Sequence, residues 1–262
     1  MTVSETHGVL VRRLLLEVTK WGTLACLVTL GLAQQLPSQE RPASSARGEY
    51  RWGLTLQSRG DIDGAVSAYT AAIHMEPRLA VAYNDRGNAL LTKGDIEKAI
   101  TDFDRAIQIR RRFAQAYNNR GMARLLKDDL AGAMLDFSKA INSKSDFAEA
   151  YANRGNTRLH SRDARGALRD FDKAIGLFER PYADAQKIVM QDPRLAKAFI
   201  NRGVARYSLE DFDGAIADFD RAIGIDPRSE EALRDRSLAR QRKRGTEDKI
   251  TRLQNVTVLP VP

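Results

Sequence analysis

The chain has 262 residues, 42 Lys and Arg against 34 Asp and Glu, and one cysteine, Cys26, which excludes an internal disulfide and a cysteine-built zinc site. The net charge of +8 suits an anionic partner, but much of the excess sits in one stretch, Arg234, Arg236, Arg240, Arg242, Lys243 and Arg244, which reads first as a solvated basic end. Repeated segments fill most of the length and leave no room within it for a separate catalytic core, so one structural domain is expected.

At the N-terminus, Arg12, Arg13 and Lys20 precede an uncharged, largely apolar run from Trp21 to Ala33, which ends in Gly31-Leu32-Ala33. Residues 1–33 are therefore predicted to be a signal peptide cleaved before Gln34. The alternative is an uncleaved membrane anchor, since Leu14 to Ala33 is long enough to span a bilayer if its charges are tolerated. Either reading makes the protein exported, periplasmic or extracytoplasmic. Residues 34–47, with Pro37, Pro42, Ser44 and Ser45, lack periodicity and predict a flexible linker.

From there the chain repeats itself in register. Ala82-Tyr83-Asn84-Asp85-Arg86-Gly87 returns as Ala116 to Gly121, Ala150 to Gly155 and Ala198 to Gly203, each followed by a second apolar block such as Ala99, Phe103 and Ala106. The spacing places the apolar residues of each block on one helical face. One copy is thus a helical hairpin, with helix A over about Ala80 to Lys93, a turn at Gly94-Asp95 and helix B over about Ile96 to Gln108. Gly87 and its equivalents remove a side chain where the helices cross. A more divergent first copy carries Gly53, Ala65, Tyr69 and Ala72. Fourteen additional residues within 176–193 predict a short extra helix over Tyr182 to Gln191, with Phe178, Tyr182, Ile188 and Met190 filling core. Glu230 to Lys243 reads as a helix A without its partner, a solvating cap, and 245–262 as a C-terminal tail. A hairpin of this size cannot bury its own face, so the copies are expected to stack through 48–244 into an all-α solenoid.

The aromatic that opens helix A, the glycine four residues on, the Gly-Asp turn, the Ala, Phe and Ala of helix B and a boundary proline at Pro77 and Pro227 resemble the tetratricopeptide repeat, over about Ala46 to Arg244. Arg111 and Ser145 replace the proline at two boundaries. The resemblance implies a right-handed α-solenoid of stacked helix-turn-helix repeats with a C-terminal capping helix, serving as a non-enzymatic scaffold for a protein or peptide partner. In superhelical members such as the repeat region of the O-linked N-acetylglucosamine transferases, the asparagine at the place of Asn119, Asn153 and Asn201, which Asp85 takes in the second copy, holds an extended peptide by its backbone. Asn84, Asn88, Asn118 and Asn156, with Arg124, Arg158 and Arg206, are the further groove candidates. They resemble, without its lysines, the clamp that other members use for C-terminal carboxylates. Bonds to neighbouring helices are the competing use for the asparagines.

An arginine precedes each of these glycines, and an aspartate follows sixteen residues later: Arg86 with Asp102, Arg120 with Asp136, Arg154 with Asp170, Arg202 with Asp218. In the first copy both change together, to Trp52 and Ala68. Ion pairs between helix A and helix B are expected, and because exposed pairs add only about 0–1 kcal/mol each, their use would be to specify register. No phosphate-cradling loop or dinucleotide fingerprint appears, and His7, His74 and His160 lack ligand spacing. No enzyme activity, metal, cofactor or small-molecule substrate is therefore expected, and nucleic acid is disfavoured as a partner. Binding of an anionic polymer or membrane surface through the basic C-terminal helix is the rival function.

Overall fold

A computed structural model describes residues 45–180 and 192–256, with side chains described as far as residue 248. The expected signal or anchor segment, the linker up to Ser44, the extra helix over Tyr182 to Gln191 and residues 257–262 lie outside the described residues. These contain eleven helices and no strand: α1 Ala46–Ser58, α2 Ile62–Met75, α3 Ala80–Thr92, α4 Ile96–Ile109, α5 Ala114–Leu126, α6 Leu130–Ser143, α7 Ala148–His160, α8 Ala164–Glu179, α9 Pro193–Ser208, α10 Phe212–Ile225 and α11 Glu230–Val256. The chain divides into two compact units, Met1–Ser145 and Asp146–Pro262. The first holds the hairpins α1/α2, α3/α4 and α5/α6, and the second holds α7/α8, α9/α10 and α11.

Local chemistry explains each hairpin. Asp61, Asp129, Asp163 and Asp211 each cap a B helix, their side chains accepting from the backbone N–H of Gly64, Gly132, Gly166 and Gly214 at 2.8–2.9 Å. Those glycines leave room for the carboxylate: a Cβ at Gly64 would lie 2.3 Å from Asp61 Oδ2. Where Lys98 takes the glycine's place, Asp95 makes no cap and pairs with the Lys98 ammonium instead. Within the first unit, Gly87 and Gly121 receive the rings of Phe103 and Phe137, and a Cβ on either would approach the ring to 2.7 Å. Gly155 and Gly203 meet Phe171 and Phe219 in the same way in the second unit, at 2.8 and 2.6 Å. The alanines Ala99, Ala106, Ala133, Ala140, Ala167, Ala174, Ala215 and Ala222 are fully buried, and their small side chains let helix B approach helix A closely.

Three boundaries differ from the sequence expectation. The first helix begins at Ala46, inside the end of the expected linker, because the Ser45 hydroxyl caps it by accepting from Gly48 N–H at 3.0 Å. Around the extra segment, α8 continues to Glu179 and α9 begins at Pro193, with Asp192 capping it. Leu177, Phe178, Leu195 and Phe199 pack into one core there. The last helix does not stop near Lys243 but runs on to Val256 through the first part of the expected tail. No proline interrupts it before Pro260.

Candidate functional site

Within each unit, successive A helices pack more closely than successive B helices: α3 against α5 in the first, α9 against both α7 and α11 in the second. The A helices therefore lie on the inner side of each stack, and their shared face carries the asparagines picked out from the sequence.

In the first unit these side chains bond to one another in a row. The Tyr50 hydroxyl donates to Asp85 Oδ2 at 2.7 Å, and Asn84 Nδ2 donates to Asp85 Oδ1 at 2.9 Å. One copy later, Asn119 Nδ2 donates to Asn84 Oδ1 at 3.0 Å and Asn118 Nδ2 to Asn119 Oδ1 at 3.3 Å. Each rung joins the residue two before a glycine to the residue three before the previous glycine. Asn84 and Asn118 are buried, while Asp85, Asn88 and Asn119 stay partly exposed. Burial pushes the Asp85 carboxyl above its ordinary pKa, against the opposing hydrogen bonds from Tyr50 and Asn84.

The second unit keeps the row but breaks its rule. Ala152 stands where Asn84 and Asn118 stand, so Asn201 Nδ2 donates one turn further along, to Asn156 Oδ1 at 2.8 Å. Ile200 takes the same place in α9 and can donate nothing to the asparagine beside it. Asn201 is 2% exposed, and its Oδ1 finds no hydrogen-bond partner among the described residues. Asp235 of α11, two residues before Ser237, is the next rung. Its Oδ2 is likewise unpartnered among the described residues, since Ile200 cannot reach it with a polar group. Asn153 is partly exposed and is engaged by an interaction of its own.

The arginines belong to the helix A to helix B contact. Arg120 Nε and Nη2 fork onto Asp136 at 2.8 and 2.6 Å, and Arg86, Arg154 and Arg202 repeat the fork on Asp102, Asp170 and Asp218 at 2.6–3.0 Å. The expected ion pairs are therefore present, but they are not surface pairs: Asp136 is wholly buried and the other three carboxylates nearly so. The third nitrogen ties adjacent copies together, Arg86 Nη1 to Thr70, Arg120 Nη1 to Asp104 and Arg202 Nη1 to Asp172. Three residues after the glycine, Arg124, Arg158 and Arg206 bring a second guanidinium to the same aspartates at 2.7–2.8 Å and also donate to the carbonyls of Gly132, Gly166 and Gly214. Arg124 and Arg158 are thus turned toward helix B, a correction to their reading as groove contacts. A buried carboxylate needs several donors to offset its desolvation, and the second arginine adds a third on Asp136, Asp170 and Asp218.

Profiles described as Tetratricopeptide repeat match residues 50–112, 84–149 and 196–229, together just over half of the chain. The chain belongs to the tetratricopeptide repeat family. Members of this family are generally protein-interaction scaffolds. No curated protein matches the chain. Among solved structures it is similar to YrrB, a TPR protein with an unusual peptide-binding site, at 21% identity over 73% of this chain and 92% of that one, with a TM-score of 0.56. It is also similar to MamA from Desulfovibrio magneticus RS-1, at 17% identity over 73% and 99% of the two chains, TM-score 0.58. In the APC/C hetero-tetramer Cut9–Hcn1 the corresponding values are 16%, 87% and 42%, with a TM-score of 0.63. These likenesses establish the tetratricopeptide fold.

Proposed function

We propose that this protein is a scaffold that holds an extended peptide, or an extended segment of a partner protein, along the A helices of its first unit. The observation that supports this reading is the half-exposed row of Asp85, Asn119 and their neighbours, which has bonding capacity to spare. Asn119 spends one N–H on Asn84 and accepts one bond from Asn118, which leaves a second N–H and a second acceptor site. A peptide group needs one of each, whatever its side chain. Each such bond contributes about 0.5–1.5 kcal/mol, so several rungs in series are required. One turn on, exposed Leu54 and partly exposed Asn88 and Met122 offer side-chain contacts beside the row. In the second unit Asn156 and Asn201 are buried, which closes those rungs to a ligand.

A photo-reactive benzophenone side chain placed at Asn88 or Met122 should cross-link a peptide or partner in the native host, whereas the same group at exposed Arg105 on α4 should not. Equal capture from Arg105, or none from Asn88 and Met122, would remove the inner face of the first unit as the site. Export belongs to the same proposal, carried by the basic start and apolar run of residues 1–33. N-terminal sequencing should give a mature start at Gln34, and an intact Met1 in a cytoplasmic fraction would exclude it.

A further inference from the structure

The last helix docks on its neighbours as an A helix does. Arg236 Nη1 bonds Asp220 of α10 at 2.7 Å, as Arg202 bonds Asp172. Lys243 pairs with Asp213 as Lys93 pairs with Asp63, and Lys197 of α9 pairs with Glu231 at 2.7 Å. The docking on α10 therefore fixes the Arg236 guanidinium in the place held by Arg86, Arg120, Arg154 and Arg202. In those four copies Nε and Nη2 fork onto an aspartate of helix B, sixteen residues on. Sixteen residues after Arg236 stands Arg252, of the wrong sign, and α11 runs on to Val256 with no turn into a B helix among the described residues. The Arg236 Nε is buried and has no hydrogen-bond partner among the described residues.

The rest of the stripe is open as well. Arg240 occupies the place of Arg124, Arg158 and Arg206, the second guanidinium on the same aspartate, yet it is half exposed and reaches only to 3.8 Å from Asp220. Leu233, where Tyr83, Tyr117, Tyr151 and Phe199 stand in four of the copies, is 36% exposed, and Ser237, where every complete copy has glycine, is exposed too. Leu233, Arg236, Ser237 and Arg240 follow one another at the spacing of a single helical face. That is the face helix B covers in every complete copy.

We propose that this face binds an acidic helix of a partner protein, which supplies the missing B helix by placing one Asp or Glu between Arg236 and Arg240 and a small residue over Ser237. The residue after the carboxylate is specified by Ser237. A Cβ at Gly203 would come within 2.6 Å of the Phe219 ring, and Ser237 carries both a Cβ and an Oγ, the latter bonded to Leu233 carbonyl at 2.9 Å. A phenylalanine does not fit there and an alanine does. Charge selects the partner: Arg234, Arg236, Arg240, Arg242, Lys243 and Arg244 attract an acidic helix and repel the same helix of a second copy.

The probe is a set of stabilised helical peptides with the sequence of α10, Phe212 to Ile225, titrated into the full chain by fluorescence anisotropy. The peptide carrying Phe219→Ala should bind, adding Asp218→Asn should weaken it about tenfold or more, and the peptide retaining Phe219 should bind more weakly than its alanine form. Ser237→Gly in the protein should reverse the preference between Ala and Phe. Arg240→Gln should reduce the distinction between Asp218 and its Asn form. Equal binding of the Asp and Asn peptides, no binding of either, or an unchanged Ala preference after Ser237→Gly would overturn the proposal. Tighter binding of heparin or anionic lipid vesicles than of the acidic peptide would overturn it in favour of an anionic polymer or surface. A dimer of the chain that Arg240→Gln dissolves would put a second copy on this face instead.

Discussion

Among the described residues, the first unit leaves no buried side-chain polar atom without a partner and the second leaves several, although both are built from the same repeat. All three buried side-chain atoms that lack a partner among the described residues, Asn201 Oδ1, Asp235 Oδ2 and Arg236 Nε, lie in the second. In the first, Asn84 and Asn118 stand three residues before their glycines, donate to the neighbouring rung, and Asn84 accepts from the next copy. Ile200 at that place removes both functions at once. The third atom goes with α11, which runs straight on to Val256 where the other copies turn back into a B helix. A repeat protein distributes its polar bonds between copies, so one apolar substitution or one missing helix exposes a deficit in the adjoining copy.

Breaking the satisfied side should have the largest effect. Asp136 is wholly buried and accepts from Arg120 twice and from Arg124 once. Asp136→Ala leaves two guanidiniums without their carboxylate and should cost about 3–5 kcal/mol in urea denaturation. Arg120→Ala orphans the same carboxylate in part, so the double variant should cost clearly less than the two single costs added together. Strict additivity would show that the pair does not act as a unit. The first copy supplies the natural control, since its Trp52 and Ala68 dispense with the charges altogether.

The stacked hairpins were legible because their signals are local and repeated. Gly87, Ala99, Phe103 and Ala106 each answer one packing demand, and the sixteen-residue interval from Arg120 to Asp136 named a contact that the structure contains. Burial was not legible, since nothing in the sequence tells a carboxylate at a helix crossing from one on a solvated face. For the same reason Arg124 and Arg158 read as groove residues, although their partners Asp136 and Asp170 lie twelve residues on, in helix B. The row of the candidate site was half visible. Asn119 and Asp85 stood out by position, but their bonding to Asn84 and Tyr50 depends on how far one A helix is displaced from the next. Tyr50 had a signal that could have been used, since it stands three residues before Gly53 as Asn84 stands before Gly87.

Repairing the unsatisfied side should have the next largest effect. Burial pushes Asp235 up to about 6, Glu231 adds to the rise, and Arg234 on the same helix and Lys197 on α9 oppose it. An ordinary aspartate titrates near 3.9 in the unfolded chain, so between about pH 4 and pH 6 the folded state holds the proton and the unfolded state does not. Stability should therefore fall as pH rises through that window and level off above it. Asp235→Asn should make the fall shallower, leaving the share that Asp85, also raised by burial, contributes, and should leave the protein more stable than the native form at pH 7 by about 1–3 kcal/mol, with little difference below pH 4. Parallel pH profiles for the two proteins would mean that Asp235 is not the group responsible.

The smallest effect separates the units at their turns. Between helix A and helix B the chain passes through a left-handed residue in every copy: Gly60, Gly94 and Asp128 in the first unit, with φ of 82°, 84° and 61°, and Arg162 and Glu210 in the second, with φ of 61° and 63°. Nothing lies within 4 Å of a Cβ at Gly60 or Gly94, so space is not what selects glycine there; the backbone conformation is. A side chain in that region costs about 1–2 kcal/mol, part of which glycine gives back through the greater freedom of its unfolded chain. Arg162→Gly and Glu210→Gly should therefore each stabilise by about 0.5–1 kcal/mol, read as a higher urea midpoint with an unchanged slope. Asp128→Gly should gain less, because a short polar side chain bonds locally and tolerates the left-handed region better than arginine or glutamate does. The order of the three gains is the sharper test: if Asp128→Gly gains as much as Arg162→Gly, backbone strain alone governs these turns and the aspartate confers no advantage on the first unit.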